Sequence, residues 1–220
     1  MKNRLNQISG HLYSTLETQQ NSFDMGKHVV DNKIEGDIIE CGIASGANFA
    51  TMMLGASEDL SRTFWGFDSF EGIQLAGKKD TLQAGIGAIT HDVNVPDSEL
   101  LISSGITSHS KESVLINFKN WGVDNFNIKL VEGWVQNTID TVIDEIKSIS
   151  ILRLDMDIYN PTKYTLEKLY PLITKGGVII IDDWELDGVR IAVEEYLKEN
   201  KIKVKMLSIP NSTPKYFFKP

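Results

Sequence analysis

The chain has 220 residues, enough for one domain with a substantial core, with 41% hydrophobic and 24% charged residues. Its net charge is −8 and its sequence pI about 5.0, which excludes nucleic acid or an anionic membrane as the main partner. A single cysteine, Cys41, excludes an internal disulfide; with no membrane-length apolar run and no signal-peptide core in the opening MKNRLNQISGHLYSTLETQQ, a soluble cytoplasmic protein is expected.

Apolar β-rich runs alternate with helical patterns. DIIECG, Asp37–Gly42, predicts a strand ending in a glycine-containing loop, and ANFATMMLGA the helix after it. RTFWGFD, Arg62–Asp68, predicts a second strand. Residues 71–110 then break the alternation: they lack periodicity and are rich in Gly, Ser, Thr and Asp. A loop of that length inside a compact domain is functional or disordered. It leaves from the rim where ligands bind and carries Gly77, Gly85 and Gly87, so an inserted lid is expected.

KESVLINFKNWG predicts a helix, NIKLVEG (Asn127–Gly133) a third strand, and NTIDTVIDEIK a helix. SISILRLD is the fourth strand, opening on the apolar run ILRL. Asn160 suits an N-cap and Pro161 a first helical residue, opening PTKYTLEKLYPLI. GGVIIIDDW, Gly176–Trp184, is the fifth strand, and GVRIAVEEYLKEN a helix. KIKVKMLSIP and KYFFK close the chain as a strand pair added antiparallel at one edge. The alternation implies a parallel sheet with helices on both faces and ligands beyond the carboxyl ends of its strands.

Glu40, Asp68, Glu132, Asp155 and Asp182 all end predicted strands, so five carboxylates crowd one rim. They repel unless cations or hydroxyl-rich ligands lie between them. ECGIASGAN passes from strand to helix through Gly42 and Gly46, letting a ligand approach the backbone and the free N–H groups of the helix start. It lacks the lysine and hydroxyl residue of a phosphate loop and departs from GxGxxG, so a ligand without a pyrophosphate fits better. Asp68 occupies the element that often receives ribose hydroxyls, though a turn aspartate is the plain alternative.

In LRLDMDIYNPT, Asp155 and Asp157 share one strand face, and Asp182 with Asp183 ends the next strand. If those strands are neighbours, up to four carboxylates converge, a charge density that a hard divalent cation such as Mg²⁺ answers; solvated loop aspartates are the alternative. His11, His28, His91 and His109 have no metal-ligand spacing and read as surface or packing residues. There is no Gly-x-Ser-x-Gly elbow, and Cys41 reads as a small buried residue, so nucleophilic catalysis has no support. Trp65, Trp121 and Phe49 are expected in the core, while Trp134 and Trp184 follow strand ends and suit stacking on a ligand ring.

IEGDIIECG, FDSFEG, VEGWVQNTI, LRLDMDIYNPTKYTLEKLYPLITKGGVIIIDDW and GVRIAVEEYL, in that order from Ile34 towards the C-terminus, resemble the macrocin O-methyltransferase (TylF/MycF) family. The resemblance implies an α/β class I methyltransferase (Rossmann-like) fold of seven mostly parallel strands with helices on both faces, a single domain over residues 1–220 with 71–110 as an inserted lid and acceptor loop. It implies Mg²⁺-dependent transfer of a methyl group from S-adenosylmethionine to a hydroxyl of a sugar or glycoside. By the family pattern Asp155, Asp182 and Asp183 hold the metal and Asp157 is the general base. Glu40, Gly42, Asp68, Ser69 and Glu132 surround the adenosylmethionine.

Three places depart from the pattern. Ala44, Ser45, Gly46 and Ala47 replace a Trp-Arg-Gly-Gly run; Met156 stands between the aspartates where the family has glycine; and Asn160, Pro161 and Thr162 replace Glu-Ser-Thr. The expected partner is a small-molecule or glycan hydroxyl acceptor, with no nucleic acid or membrane, and a homo-oligomer left open. A metal-dependent glycosyltransferase using a nucleotide sugar, and a non-catalytic methyltransferase-like binding module, are the alternatives.

Overall fold

The computed structural model describes residues 2–81 and 100–220. Five strands run parallel: β1 (Asp37–Cys41), β2 (Thr63–Asp68), β3 (Asn127–Glu132), β4 (Ile149–Leu154) and β5 (Ile173–Ile181). β7 (Lys215–Phe218) lies antiparallel on β5 and β6 (Leu207–Ser208) antiparallel on β7, giving the order β3-β2-β1-β4-β5-β7-β6. The chain reverses its direction of sheet growth at β1, with β2 on one side and β4 on the other, and the crevice of an open α/β sheet forms there.

Successive side chains of a strand face opposite ways, and the sheet builds two cores accordingly. Ile38, Phe64, Ile151 and Val178 pack on one face with Val29 of α2 (Leu16–Asp31), Phe49 of α3 (Ala47–Gly55) and Phe118 of α4 (Lys111–Trp121). Ile39, Trp65, Leu152 and Ile179 pack on the other with Ile139 of α5 (Val135–Val142), Leu166 of α6 (Tyr159–Leu169) and Val193 of α7 (Asp187–Glu199). Phe49, Trp65 and Trp121 are buried in these cores as expected. Among the described residues no helix is long and apolar enough to cross a membrane.

Several elements differ from expectation. Two N-terminal helices, α1 (Lys2–Ser9) and α2, carry no predicted counterpart. α2 buries Thr18, Gln19, Ser22, Gly26 and Val29, a small and polar face without hydrophobic contrast. It packs where a Cβ on Gly26 would lie 2.4 Å from the Met52 carbonyl, so helix approach rather than apolar bulk forms the contact. α6 starts at Tyr159, not Pro161, and Asn160 is not its cap. Proline is tolerated because first-turn N–H groups lack helical partners anyway. β5 begins at Ile173 and ends before Asp182; α5 starts at Val135 and gives way to a 3-10 turn over Ile143–Glu145; and of KIKVKMLSIP only Leu207–Ser208 pairs.

The two described arms of the 71–110 insertion bond to each other: Ile73 N–H to the Ile106 carbonyl at 3.0 Å, Ser104 N–H to Ile73 at 2.8 Å, and Leu75 N–H to Ile102 at 3.0 Å. The first arm is pinned to the body by buried Asp80, which accepts from Gly77 N–H and Tyr159 N–H, both at 2.8 Å. The carboxylate of Asp187 accepts the Thr81 N–H at 3.1 Å. The expected hinge glycines Gly85 and Gly87, with His91, lie outside the described residues.

Gly42 (φ 84°) closes β1 where a Cβ would stand 1.7 Å from the Asp155 carbonyl oxygen. Gly105 shares the left-handed conformation (φ 76°) but has open space around it. We expect Gly105→Ala to cost about 1–2 kcal/mol, the left-handed penalty alone, and Gly42→Ala about 4 kcal/mol or more, because β4 must also move. Denaturant unfolding of both variants checks the difference.

Candidate active site

A cavity of about 180 Å³ opens at the carboxyl ends of the strands. Eight of the nine predicted site residues line it: Glu40, Gly42, Asp68 and Ser69 on the β1–β2 side, Asp155, Asp157, Asp182 and Asp183 on the β4–β5 side. Glu132 does not. Its side chain is 58% exposed and pairs with Lys111 at 3.3 Å, because β3 is the sheet edge.

On the first side, Asp68 clamps the glycine loop. Its Oδ2 accepts the N–H groups of Ile43 (2.8 Å) and Ala44 (3.0 Å), and Oδ1 that of Phe70 (2.7 Å). Burial pushes the carboxyl upward while these N–H groups pull it down. Ser69 donates to the Gly72 carbonyl at 2.8 Å.

Further along, Gln136 donates to Gln74 at 2.9 Å, leaving Gln74 Nε2 and Gln136 Oε1 buried without a protein partner. Flipping both amides exchanges the roles but still leaves one free donor and one free acceptor. Trp134 lines this end, as expected of a stacking residue, whereas Trp184 packs into the core.

The segment between α1 and α2 covers the loop: Ser45 Oγ donates to the His11 carbonyl at 2.8 Å, and His11, Tyr13 and Ser14 line the cavity. His11 also packs edge-on to Trp121, 5.2 Å between centroids, and Tyr13 OH meets His109 Nε2 at 2.8 Å.

On the second side, Asp155, Asp182 and Asp183 each offer an oxygen, all within 4.8 Å of one another. Beneath them lies Arg153, fully buried inside the run that reads as ILRL. Its Nε donates to Glu40 Oε1 at 3.0 Å, and its Nη2 to Asp155 Oδ2 at 3.3 Å and to Asp182 Oδ1. The sequence reading offered a bound cation, a hydroxyl-rich ligand or solvation as answers to the crowded aspartates; Arg153 is a further one.

Strand parity carries the signal that could have found it. Glu40 pairs in register with Arg153 across β1–β4, and Arg153 with Ile180 across β4–β5. Asp155 and Asp182 follow two residues on, so all four charged side chains share one face. Burial disfavours the Arg153 charge, but Asp182, Asp155 and Glu40 hold its pKa above the ordinary value. Burial pushes Glu40 up to about 8 against the pull of Arg153, and lifts Asp155 and Asp183 well above the usual carboxylate range, with neighbouring carboxylates adding to it.

Asp157 sits at φ 65°, in a three-residue turn closed by the Ile158 N–H on the Met156 carbonyl at 2.8 Å. Its own N–H donates to Asp183 Oδ2 at 3.1 Å. Burial, then Asp182, Glu185 and Asp68, raise its carboxyl to about 7.

A sheet of this order with a glycine loop after β1 and acids ending β2, β4 and β5 is the class I methyltransferase fold. The solved structure of the O-methyltransferase NovP superposes with a TM-score of 0.74 at 25% identity, over 92% of this chain and 79% of that one. The macrocin O-methyltransferase (TylF) family model matches residues 17–219, and the chain belongs to that family. It is 31% identical over 170 residues to the 8-demethyl-8-(2,3-dimethoxy-alpha-L-rhamnosyl)-tetracenomycin-C 4'-O-methyltransferase of Streptomyces olivaceus, 76% of this chain but 60% of that protein. It is 27% identical over 206 residues to the demethyldecarbamoylnovobiocin O-methyltransferase of Streptomyces niveus, 91% of this chain and 73% of that one. The chain thus spans less than two thirds of the tetracenomycin relative.

A raised carboxyl binds its proton more tightly in the folded state, so folding loses stability as pH climbs from about 4 to about 7, where Asp157 must ionise in place. In metal-free protein, Asp157→Asn is therefore expected to be the more stable by about 1–2 kcal/mol at pH 8, with the gap closing near pH 4. Thermal melts in EDTA across that range check the sign.

Proposed function

We propose that the protein transfers the methyl group of S-adenosylmethionine to a hydroxyl of a sugar or glycoside, with a hard divalent cation such as Mg²⁺ held by Asp155, Asp182 and Asp183. One observation carries this reading: a single cavity joins the glycine loop and Asp68 to the three-aspartate cluster and Asp157. The aspartates suit a hard cation in donor type, since all three offer oxygens, and in spacing. Asp155 and Asp182 each keep one oxygen off Arg153, available to an ion.

On the donor side Asp68 holds the Ile43–Ala44 backbone against the ligand. Gln74 and Gln136 stand beyond β2 and β3, far along the rim from β4. Their free donor and acceptor suit the edge of a purine base, with Trp134 beside it. Glu132, which points into solvent in this structure, is the weakest of the expected cofactor contacts.

On the acceptor side, Asp155, Asp182 and Asp183 would hold the cation, which would supply Lewis acidity toward the acceptor hydroxyl. Asp157 takes the hydroxyl proton on its carboxylate, a step worth roughly 10²–10⁴-fold. The Asp157 turn and the Asp157 N–H bond to Asp183 fix that carboxylate beside the cluster. Holding the two reactants in line contributes up to roughly 7–11 kcal/mol. The arms of residues 71–110 reach the cavity at Gly72, Ile73, Gln74 and Thr107, which supports this segment as part of the one ligand-binding domain. A reducing compartment such as the cytoplasm fits the lone, buried Cys41.

Calorimetry should show saturable binding of S-adenosylhomocysteine. An α-L-rhamnosyl glycoside is the first acceptor to assay, given the tetracenomycin relative's name. Methyl transfer should vanish on chelation and return with Mg²⁺. Asp157→Asn should keep both ligands and lose about 100-fold or more in turnover. Full turnover in excess EDTA would remove the metal role, and binding of a nucleotide sugar in place of S-adenosylhomocysteine would favour a glycosyltransferase.

A further inference from the structure

Arg153 is buried, charged and outside every role described above. Its Nη2 takes one oxygen from Asp155 and one from Asp182, and neither aspartate's second oxygen has a protein partner among the described residues. Its Nε rests on Glu40 at 3.0 Å, directly across the β1–β4 ladder. Among the described residues its Nη1 is buried with no acceptor, and Glu40 Oε2 is buried with no donor. Two orphaned polar atoms in one buried pair cost stability, and an apolar pair at 40 and 153 would avoid both. Both contacts of its Nη2 go to the cluster.

We propose that Arg153 is a positioning residue for the metal site. Its guanidinium holds Asp155 and Asp182 by one oxygen each and so presents the other oxygens, with that of Asp183, to a divalent cation; Glu40 holds the guanidinium from behind. The planar fork matters here. Two carboxylates from different strands meet one nitrogen while a third engages the next, a geometry that a lysine ammonium on a flexible stem does not reproduce. Groups that orient metal ligands in this way typically contribute 10–100-fold to metal affinity.

The inference rests on the reading of Asp155, Asp182 and Asp183 as metal ligands, and Mn²⁺ binding separates the two. Mn²⁺ is titrated by electron paramagnetic resonance into the whole protein without methyl donor, for the wild type, Arg153→Lys and Arg153→Gln. Thermal melts and S-adenosylhomocysteine affinity serve as controls on folding. We expect Arg153→Lys to lose 10–100-fold in Mn²⁺ affinity with S-adenosylhomocysteine affinity kept within about 3-fold, and Arg153→Gln to lose at least as much.

Wild-type affinity in Arg153→Lys overturns the inference alone. Tighter binding in Arg153→Gln also overturns it, since Arg153 would then be a competing charge and not a holder. No Mn²⁺ binding by the wild type overturns the metal reading and the inference together. Should the variants fail to fold, a crystal structure of the wild type with Mn²⁺ decides. Arg153 Nη2 still on Asp155 and Asp182, with the ion on their opposite oxygens, supports the role; a guanidinium displaced from both refutes it.

Discussion

The arrangement of the site depends on a close approach between two stretches of backbone. Gly42 passes the Asp155 carbonyl with no room for a side chain, and the hydrogen bonds on either side fix it there. Gly42 N–H donates to the Phe67 carbonyl at 2.8 Å, and Asp155 N–H to that of Cys41 at 2.9 Å. The turn after β1 is thus stitched to β2 and to β4 at once. Because of that seam, the loop suited to a methyl donor and the aspartates suited to a metal share one cavity instead of lying on separate parts of the rim.

Charge is the second constraint. Glu40, Asp155 and Asp182 sit on one sheet face with Arg153 as their buried cation, while Asp157 and Asp183 add negative charge at the mouth. The cluster remains net negative, and burial together with carboxylate repulsion raises Glu40, Asp155, Asp157 and Asp183 in the protein by itself. An electrostatically unfavourable rim is tolerated because the sheet beneath is built from two dense apolar layers that do not depend on it.

The sheet was legible because strands buried on both faces write continuous apolar runs, such as VIII before Asp182, and because acids and glycines stop those runs abruptly. The acids at their ends were legible for the same reason, and eight of nine site candidates line one cavity. What escaped has physical causes. Arg153 was hidden by its apolar neighbours, although the two-residue parity shared with Asp155 marks its face. α2 escaped because its buried face is made of Thr, Gln, Ser and Gly, and its packing rests on glycine clearance that no periodicity reports. His11, Tyr13 and Ser14 reach the cavity only through tertiary placement of a segment far from it in sequence. That Glu132 lies outside the cavity escaped because position at a strand end does not reveal that the strand is the outermost one.

The Asp80 carboxylate bridges parts of the chain that lie far apart in sequence. It belongs to the insertion, yet it accepts the first N–H of α6, the helix that follows the Asp155–Asp157 turn, and a Cβ on Gly188 of α7 would lie 1.7 Å from its Oδ1. The insertion therefore supplies the missing cap of a catalytic-side helix. Exchanging the whole of residues 71–110 between relatives would cut through this joint and leave α6 uncapped. The workable boundary for such chimeras lies after Thr81, so that the anchor stays with the host and only the part beyond it is traded.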